Sequence, residues 1–268
     1  MILRLIPVAL AWSVCGAAHA GDGLTLATGI DYSSGRYGSD TTTEIFAVPV
    51  TATWTRGALT ARVSVPWLRV SGDPNVLPGL GGVDNTNPLG RGRLPLIGDV
   101  GQPPEQRERG SASGIGDVTT TLTWSQSLGA KAGIDLGVNA KIATADEDKG
   151  LGTGANDYGA ALDLYRDFGG TVLFGGVGHT RLGDSRYIDL DRVNSANVGV
   201  SQPVGDGRVG AMFEHRSASV DGREDRREAT VFYALPNASG GRLQVYARHG
   251  FSDGSPEWGA GISISRGF

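Results

Sequence analysis

The sequence has little cysteine and only one long apolar run, and both shortages limit what the chain can be. The single cysteine, Cys15, lies within the first twenty residues, so the remainder can form no disulfide and has no thiol chemistry. Mean hydropathy is -0.14, and no segment after Gly21 repeats apolar residues at helical spacing over the length of a helix. These shortages argue against a bundle of membrane helices.

The sequence also has few histidines and a small net charge. Beyond residue 20 only His179, His215 and His249 remain, and no two of them are spaced as ligands of one metal ion. The formal net charge is -4, which gives no support to a nucleic-acid partner. We therefore expect no cofactor, no metal site and no nucleic acid.

The first twenty residues have the pattern of a cleaved secretory signal. Arg4 precedes an apolar stretch, and the run closes on the small residues of Ala18-His19-Ala20. Trp12-Ser13-Val14 are too bulky to precede a lipoprotein cleavage site at Cys15. The sequence predicts a signal peptide over residues 1–20 and one exported domain over residues 21–268.

Glycine, by contrast, is abundant, and the exported part alternates apolar and polar residues. There are 43 glycines in the chain. From Asp117, the residues Val118, Thr120, Leu122 and Trp124 share one face, while Asp117, Thr119, Thr121, Thr123 and Ser125 share the other. Similar segments of about ten residues recur about twelve times, and ten residues are what a tilted strand needs to cross a bilayer. The pattern indicates an all-β chain.

A soluble β-sandwich also alternates, so the connections between strands have to distinguish the two folds. Short turns are expected at residues 55–57, 127–129, 167–169, 205–207 and 239–241. Longer charged loops are expected near residues 33–42, 69–114, 145–156, 182–194 and 219–226. Outer-membrane barrels have this asymmetry, with tight periplasmic turns and long extracellular loops. We therefore predict a transmembrane antiparallel β-barrel of about 12 strands in the outer membrane of a Gram-negative bacterium.

Aromatic residues and the C-terminus agree with a barrel. Aromatic side chains fall near the predicted strand ends, as in interfacial girdles, although scattered core aromatics would give a similar pattern: Trp54, Trp67, Trp124, Tyr158, Tyr233 and Trp258. The last segment alternates apolar residues, with Arg266 as an interruption, and stops on Phe268. It resembles the C-terminal signature that the barrel assembly machinery recognises. Phe268 is the predicted assembly signal. The predicted partners are that machinery, outer-membrane lipid and lipopolysaccharide, and a small-molecule solute.

Three stretches resemble the outer-membrane transporter family named for the MetA pathway of phenol degradation. They are VPVTATWTRGALTARVSVPWLRVSG (residues 48–72), SGIGDVTTTLTW (residues 113–124) and DKGLGTGANDYG (residues 148–159). The resemblance implies a porin-like barrel that moves small, often aromatic, molecules across the outer membrane. It carries no catalytic residues.

Several short motifs suggest other chemistry, and each has a plainer interpretation. Gly250-Phe251-Ser252-Asp253-Gly254 matches a nucleophile elbow, but it lies in a predicted hairpin instead of preceding a helix. Asp146-Glu147-Asp148 lacks the full series of calcium ligands. The loop arginines Arg223, Arg226 and Arg227 suit lipopolysaccharide phosphates, yet acidic residues surround them.

The inward positions of the alternation carry balanced charge. The basic ones are Arg62, Lys141, Arg208, Arg216, Arg242 and Arg248, and the acidic ones are Asp117, Asp135, Asp163, Glu214, Glu228 and Glu257. Arg62, Asp135, Lys141, Asp163, Glu214, Arg216 and Arg248 are the candidates for lining a substrate path. Either salt bridges cross and close the lumen, or opposite charges line a narrow watery path.

Three functions remain open on this sequence. The first is a non-enzymatic channel for small molecules, aromatic compounds among them, with the 69–114 loop contributing to its selectivity. The second is a non-conducting structural or adhesion barrel that acts through its extracellular loops. The third is an outer-membrane lipid-modifying enzyme. The balanced lumen charge favours polar or weakly polar solutes over purely apolar ones.

Overall fold

The computed structural model of the protein describes residues 22–87, 91, 110–238 and 240–268. The predicted signal peptide lies outside these residues. Fifteen strands are present: β1 (Gly23–Gly35), β2 (Thr43–Arg56), β3 (Leu59–Gly72), β4 (Val76–Leu77), β5 (Gly81–Gly82), β6 (Gly110–Ile115), β7 (Val118–Ser127), β8 (Ala132–Ile142), β9 (Asp157–Asp167), β10 (Val172–Arg181), β11 (Val193–Val204), β12 (Gly207–Arg216), β13 (Arg226–Pro236), β14 (Arg242–Gly250) and β15 (Trp258–Gly267). The described part of the chain contains no helix long and apolar enough to span a membrane.

Thirteen of these strands form one antiparallel sheet that closes on itself. Neighbours in sequence pair with each other, and β1 pairs with β15 in a register that runs from Thr25 opposite Gly267 to Ser34 opposite Trp258. β6 and β7 both pair with β3, because they are two halves of one strand interrupted at Gly116 and Asp117. The result is a closed barrel of 12 strands, which confirms the predicted fold class.

The alternation predicted from the sequence divides the barrel into an outer and an inner face. On β8, Leu136 and Val138 are exposed on the outside, while Asp135 is buried inside. The same parity holds on β3, where Leu59, Val63 and Trp67 are exposed. Closure gives each of the 12 strands of the barrel a neighbour on both sides, so the apolar outer face meets lipid with its backbone hydrogen bonds satisfied.

Two levels of aromatic residues flank this apolar surface. Trp54 and Trp124 lie near the ends of β2 and β7 where the short turns are, and both are exposed. Trp67, Tyr158 and Trp258 are exposed towards the opposite, extracellular end of their strands. The two levels mark the two membrane interfaces of an outer-membrane barrel.

The connections divide by length as the sequence indicates. Short turns join the strands at residues 57–58, 128–131, 168–171 and 205–206, and the turn at 237–241 contains Ser239, which lies outside the described residues. Longer loops at residues 36–42, 143–156, 182–192, 217–225 and 251–257 meet at the other end. The loop between β14 and β15 was predicted only as a hairpin, and it belongs to this extracellular set.

Candidate functional site in the barrel lumen

Residues 73–87, here termed the mouth loop, cover the extracellular end of the lumen. β4 and β5 form a short hairpin within it. Leu77 and Val83 are buried against Ile188 and Val220, which belong to two other extracellular loops. This packing makes the described part of the 69–114 loop a fixed cover over the barrel.

Hydrogen bonds fasten the mouth loop at both ends. The Asp73 amide donates to Thr43 Oγ1 at 2.9 Å, at the top of β2. At the other end, the amide and hydroxyl of Thr86 both donate to the carbonyl oxygen of Tyr187, at 3.0 and 2.8 Å. The cover is therefore attached to the barrel wall and to a neighbouring loop.

The tip of the mouth loop is held by two arginines from inside the barrel. Arg216 Nη1 donates to the carbonyl oxygen of Gly79 at 2.8 Å, and Arg226 Nη1 donates to the same oxygen at 2.9 Å. Arg216 and Arg226 are directly opposite each other on β12 and β13. Glu228 also binds Arg226, so the pair of like charges has a nearby counter-charge.

Beneath the tip lies a cavity of about 270 Å³, here termed the lumen cavity. Apolar side chains from the barrel wall and the loops line part of it: Ala47, Pro49, Pro66, Leu68, Pro78, Leu80, Leu151 and Leu182. Polar and charged side chains line the remainder, among them Arg62, Ser64, Asp117, Thr119, Thr121, Thr123, Asp135, Lys141, Asp163 and Arg216. A cavity with this lining suits a small amphipathic molecule.

Arg62 is the basic residue of this cavity for which the described residues provide no partner. It lies on β3, with Thr53 of β2 and Thr121 of β7 opposite it in register. Its Nε is buried without a hydrogen-bond partner. Within the described part of the chain we find no ion pair or hydrogen bond to the Arg62 guanidinium.

Lys141, in contrast, is fully engaged. Its ammonium lies 2.9 Å from Asp157 Oδ2 and 3.4 Å from Asp117 Oδ2, and it donates to Thr153 Oγ1 at 2.8 Å. Asp117 also accepts hydrogen bonds from two amides of the 143–156 loop. The lysine therefore joins β8, the strand break before β7 and this loop, and it has a structural role.

The wall away from the lumen cavity holds a second group of paired charges. Arg248 Nη2 binds both carboxylate oxygens of Asp31, at 2.7 and 2.8 Å, and Tyr246 donates to the same carboxylate. Glu214 and Glu228 are opposite each other in register on β12 and β13. Arg248 pairs with Asp31 and Glu228 pairs with Arg226, so this side of the lumen contains two ion pairs.

The periplasmic half of this wall is apolar and aromatic. Val172 and Phe174 are buried inside the barrel, with Tyr165, Met212 and Phe232 packed against them. The ring of Phe174 lies against Gly199, and that of Phe232 against Gly210, where a methyl group on either glycine would overlap the ring. These glycines give the aromatic rings room against the neighbouring strands.

The structure brings part of the predicted lumen set together. Arg62, Asp135, Lys141, Asp163 and Arg216 line the lumen cavity, while Glu214 and Arg248 lie on the inner face away from it. Their role as a substrate path stays a prediction. Two inner charges that the sequence analysis did not single out, Asp31 and Asp157, complete the ion pairs of Arg248 and Lys141.

Two placements were wrong. Glu257 does not face the lumen, because it precedes β15 in an extracellular loop and pairs with the exposed Arg36 at 2.7 Å. Arg226 is not a loop residue available to lipopolysaccharide, because it begins β13 and binds Gly79 and Glu228 inside the barrel. In both cases the strand begins at a different residue from the one that the alternation alone suggests.

The loop acids that suggested calcium have neighbours of their own. Asp146 binds Lys149 at 2.9 Å, and this hydrogen bond lowers the pKa of the Asp146 carboxyl. Glu147 lies 3.6 Å from Arg186, and Asp148 accepts from Tyr187. Within the residues that the structure describes, no group of three or more potential ligands is arranged to hold a metal ion.

Ser252, the serine of the elbow-like motif, lies in the extracellular loop between β14 and β15. Its hydroxyl is 3.2 Å from that of Ser255, which also bonds to the backbone of Arg227. None of the hydrogen bonds formed by these two serines in the described residues involves a histidine. The motif is followed by a strand, so it lacks the helix that a nucleophile elbow requires.

The closed strand order, the lipid-facing apolar surface and the covered lumen define an outer-membrane β-barrel with the fold of a channel. The COG4313 outer membrane channel from Pseudomonas putida F1 has a similar structure, with a TM-score of 0.69 and 13% sequence identity over 94% of this chain and 97% of that one. The protein is located in the outer membrane of a Gram-negative bacterium.

Other barrels are similar at lower TM-scores. The KdgM porin gives a TM-score of 0.50 at 8% identity, over 91% of this chain and 99% of that one. The translocator domain of the autotransporter NalP from Neisseria meningitidis gives 0.50 at 13% identity, over 93% and 90%. At these identities the likeness concerns the fold. No family model and no curated protein matches the sequence, so the resemblance to the family named for the MetA pathway stays a prediction.

Proposed function

We propose that the protein is a passive, non-enzymatic channel through which small, weakly polar or amphipathic solutes cross the outer membrane. The lumen cavity carries this proposal, because it combines apolar and polar lining side chains inside a closed barrel. Channel selectivity in such barrels comes from lumen side chains and constrictions. The mouth loop supplies the constriction on the extracellular side.

Single-channel recording in planar bilayers tests this function. The wild-type protein should give small, discrete conductance steps, since the mouth loop narrows a barrel of 12 strands. A variant in which Val76–Gly82 is replaced by a short glycine linker should give several-fold larger steps. A different gel mobility before and after boiling checks that both proteins are assembled barrels.

A non-conducting structural barrel is the second candidate, and one observation favours it. Leu77 and Val83 of the mouth loop are almost completely buried, so the loop occupies the mouth as a packed structure. This candidate predicts that neither the wild type nor the variant without Val76–Gly82 conducts. Conductance of the variant alone would indicate a channel that is closed in its resting state.

A further inference from the structure

An arginine without a partner inside a barrel lowers the stability of the fold, so its presence suggests a functional role. A buried charge is destabilising unless an opposite charge or hydrogen bonds compensate it. Among the described residues, Lys141, Arg226 and Arg248 bind carboxylates of the barrel, whereas Arg62 and Arg242 bind none. Of these last two, Arg62 lines the lumen cavity, so its guanidinium is placed to bind a ligand there.

Hydroxyl groups surround Arg62 on the inner faces of β2, β3 and β7. The hydroxyl-bearing residues beside it in the register or next on its own strand are Thr51, Thr53, Thr60, Ser64, Thr119, Thr121 and Thr123. Threonine and serine hydroxyls donate hydrogen bonds to an anion without adding charge. The planar guanidinium matches a carboxylate with two parallel hydrogen bonds. This wall therefore offers one positive charge and several neutral donors.

The apolar lining and the volume define the remainder of the ligand. Pro66, Leu68 and Leu151 line the same cavity as Arg62. An apolar cavity of about 150 Å³ accommodates benzene, so about 270 Å³ has room for one ring with a carboxylate and a small substituent. A short branched aliphatic acid has the same chemistry and also fits.

The acids of the cavity limit the charge of the ligand. Asp135 and Asp163 line it and are directly opposite each other on β8 and β9. A ligand with two or more negative charges would meet these carboxylates, which disfavours phosphates and dicarboxylates. A ligand with a single carboxylate can bind Arg62 through that group and place its apolar body against the apolar lining residues.

We propose that the lumen cavity is a binding site for small organic monocarboxylates with an apolar or aromatic body, and that Arg62 receives the carboxylate. This inference rests on the proposed channel only for the step in which the bound acid crosses the membrane. Binding itself is a property of the folded barrel and can be measured without conduction.

Fluorine NMR of the refolded protein in a non-ionic detergent tests the site with para-fluorobenzoate as the probe. The matched neutral probe is para-fluorobenzamide, which has the same ring and nearly the same shape. Wild-type protein should bind the acid more tightly than the amide. Arg62→Gln should weaken binding of the acid by about tenfold or more, as expected for loss of a charge-assisted hydrogen bond. The affinity of this variant for the amide should equal that of the wild type.

Two further variants separate the site from general lumen charge and from misfolding. Arg208→Gln removes an inner-face arginine that binds Gly170 and Ser201 away from the cavity, and it should bind the acid as the wild type does. Thr121→Val keeps the shape of the wall beside Arg62 but removes a hydroxyl donor, and it should weaken binding of the acid several-fold. It keeps the test valid if Arg62→Gln does not assemble.

Equal affinity of wild type for acid and amide would overturn the proposal, as would an equal loss in the Arg62 and Arg208 variants. Binding that depends on Arg62 in a protein that never conducts would refute the channel function and retain the carboxylate site. Conductance without Arg62-dependent binding would refute the site and retain the channel.

Discussion

Arg216 Nη1 donates a 2.8 Å hydrogen bond to the carbonyl oxygen of Gly79, and this contact joins β12 to the tip of a loop 137 positions away in sequence. Arg226 on the adjacent strand reaches the same oxygen at 2.9 Å. The loop tip therefore depends on two positive side chains that would otherwise repel each other across the strands. Their removal should alter the loop more than the barrel.

Replacing Arg216 by methionine tests this dependence on the arginines. We expect the tip of the mouth loop to leave the lumen more often, because one of the two donors to Gly79 is lost. Bilayer recordings should show a larger mean conductance and more frequent fluctuations. Arg242→Met is the matched control, because it changes an inner-face arginine near the periplasmic turns. Its conductance should fluctuate as often as that of the wild type. Equally frequent conductance fluctuations in both variants would contradict a role for Arg216 in holding the loop.

The sequence is sufficient to predict the barrel because one periodicity governs every strand. Lipid on one side and a polar interior on the other force alternation, as Leu136 and Asp135 show on β8. The same constraint explains why the short turns and long loops alternate along the chain. Strand number, sidedness and the inward parity of residues such as Arg62 follow from it.

The mouth loop and the ion pairs could not be predicted in the same way. Leu77 and Val83 are buried by loops that come from distant parts of the sequence, and no local pattern reports such contacts. Parity also does not determine which inward charges are paired. Arg248 pairs with Asp31 across the closure of the barrel, while no described carboxylate pairs with Arg62. Pairing depends on strand stagger and on how far each side chain reaches.

Lys141 and Lys149 form lysine–aspartate contacts of the same length, 2.9 Å, in different surroundings. Lys141 is largely enclosed and serves two aspartates, whereas Lys149 is exposed. Lys141→Met should destabilise the barrel by about 3 kcal/mol, because it leaves enclosed carboxylates unpaired. Lys149→Met should cost about 0 to 1 kcal/mol, as solvent-exposed pairs do.

Denaturant unfolding in phospholipid vesicles, followed by tryptophan fluorescence, measures both variants. The comparison controls for loss of a lysine and gain of a methionine, because both variants make the same substitution. A Lys141 variant as stable as the Lys149 variant would show that the ion pairs of Lys141 do not support the 143–156 loop and β8.

Phe268 ends the chain beside the closure of the barrel. Its amide donates to the carbonyl oxygen of Leu24 on β1 at 2.8 Å, and its side chain is 67% exposed. An exposed aromatic at this place is free to contact the assembly machinery. Deleting Phe268 should therefore lower the amount of assembled protein several-fold without changing the conductance of each assembled barrel.

Phe168→Ala provides the control, because Phe168 is an equally exposed aromatic of a periplasmic turn. Its loss should leave the yield of heat-modifiable protein in outer-membrane fractions unchanged. If deletion of Phe268 also leaves this yield unchanged, the terminal residue is not the assembly signal.

Ion selectivity tests whether the unpaired charge of Arg62 lines the conducting path. A fixed positive charge at the wall raises the local barrier for cations, so Arg62→Gln should shift the channel towards cations, and Asp163→Asn should shift it towards anions. Two charges about 4 Å apart in a water-like environment interact by about 1 kcal/mol, which corresponds to about a fivefold change in the permeability ratio.

Reversal potentials in a salt gradient measure this ratio. Glu257→Gln is the matched control, because that carboxylate pairs with Arg36 in an exposed loop and should leave the ratio unchanged. Arg216 and Arg248 are less suitable than Arg62, since both are engaged with other groups of the barrel. Shifts of opposite sign in the Arg62 and Asp163 variants would place both side chains along the ion path. An unchanged ratio in both variants would show that ions bypass the lumen cavity.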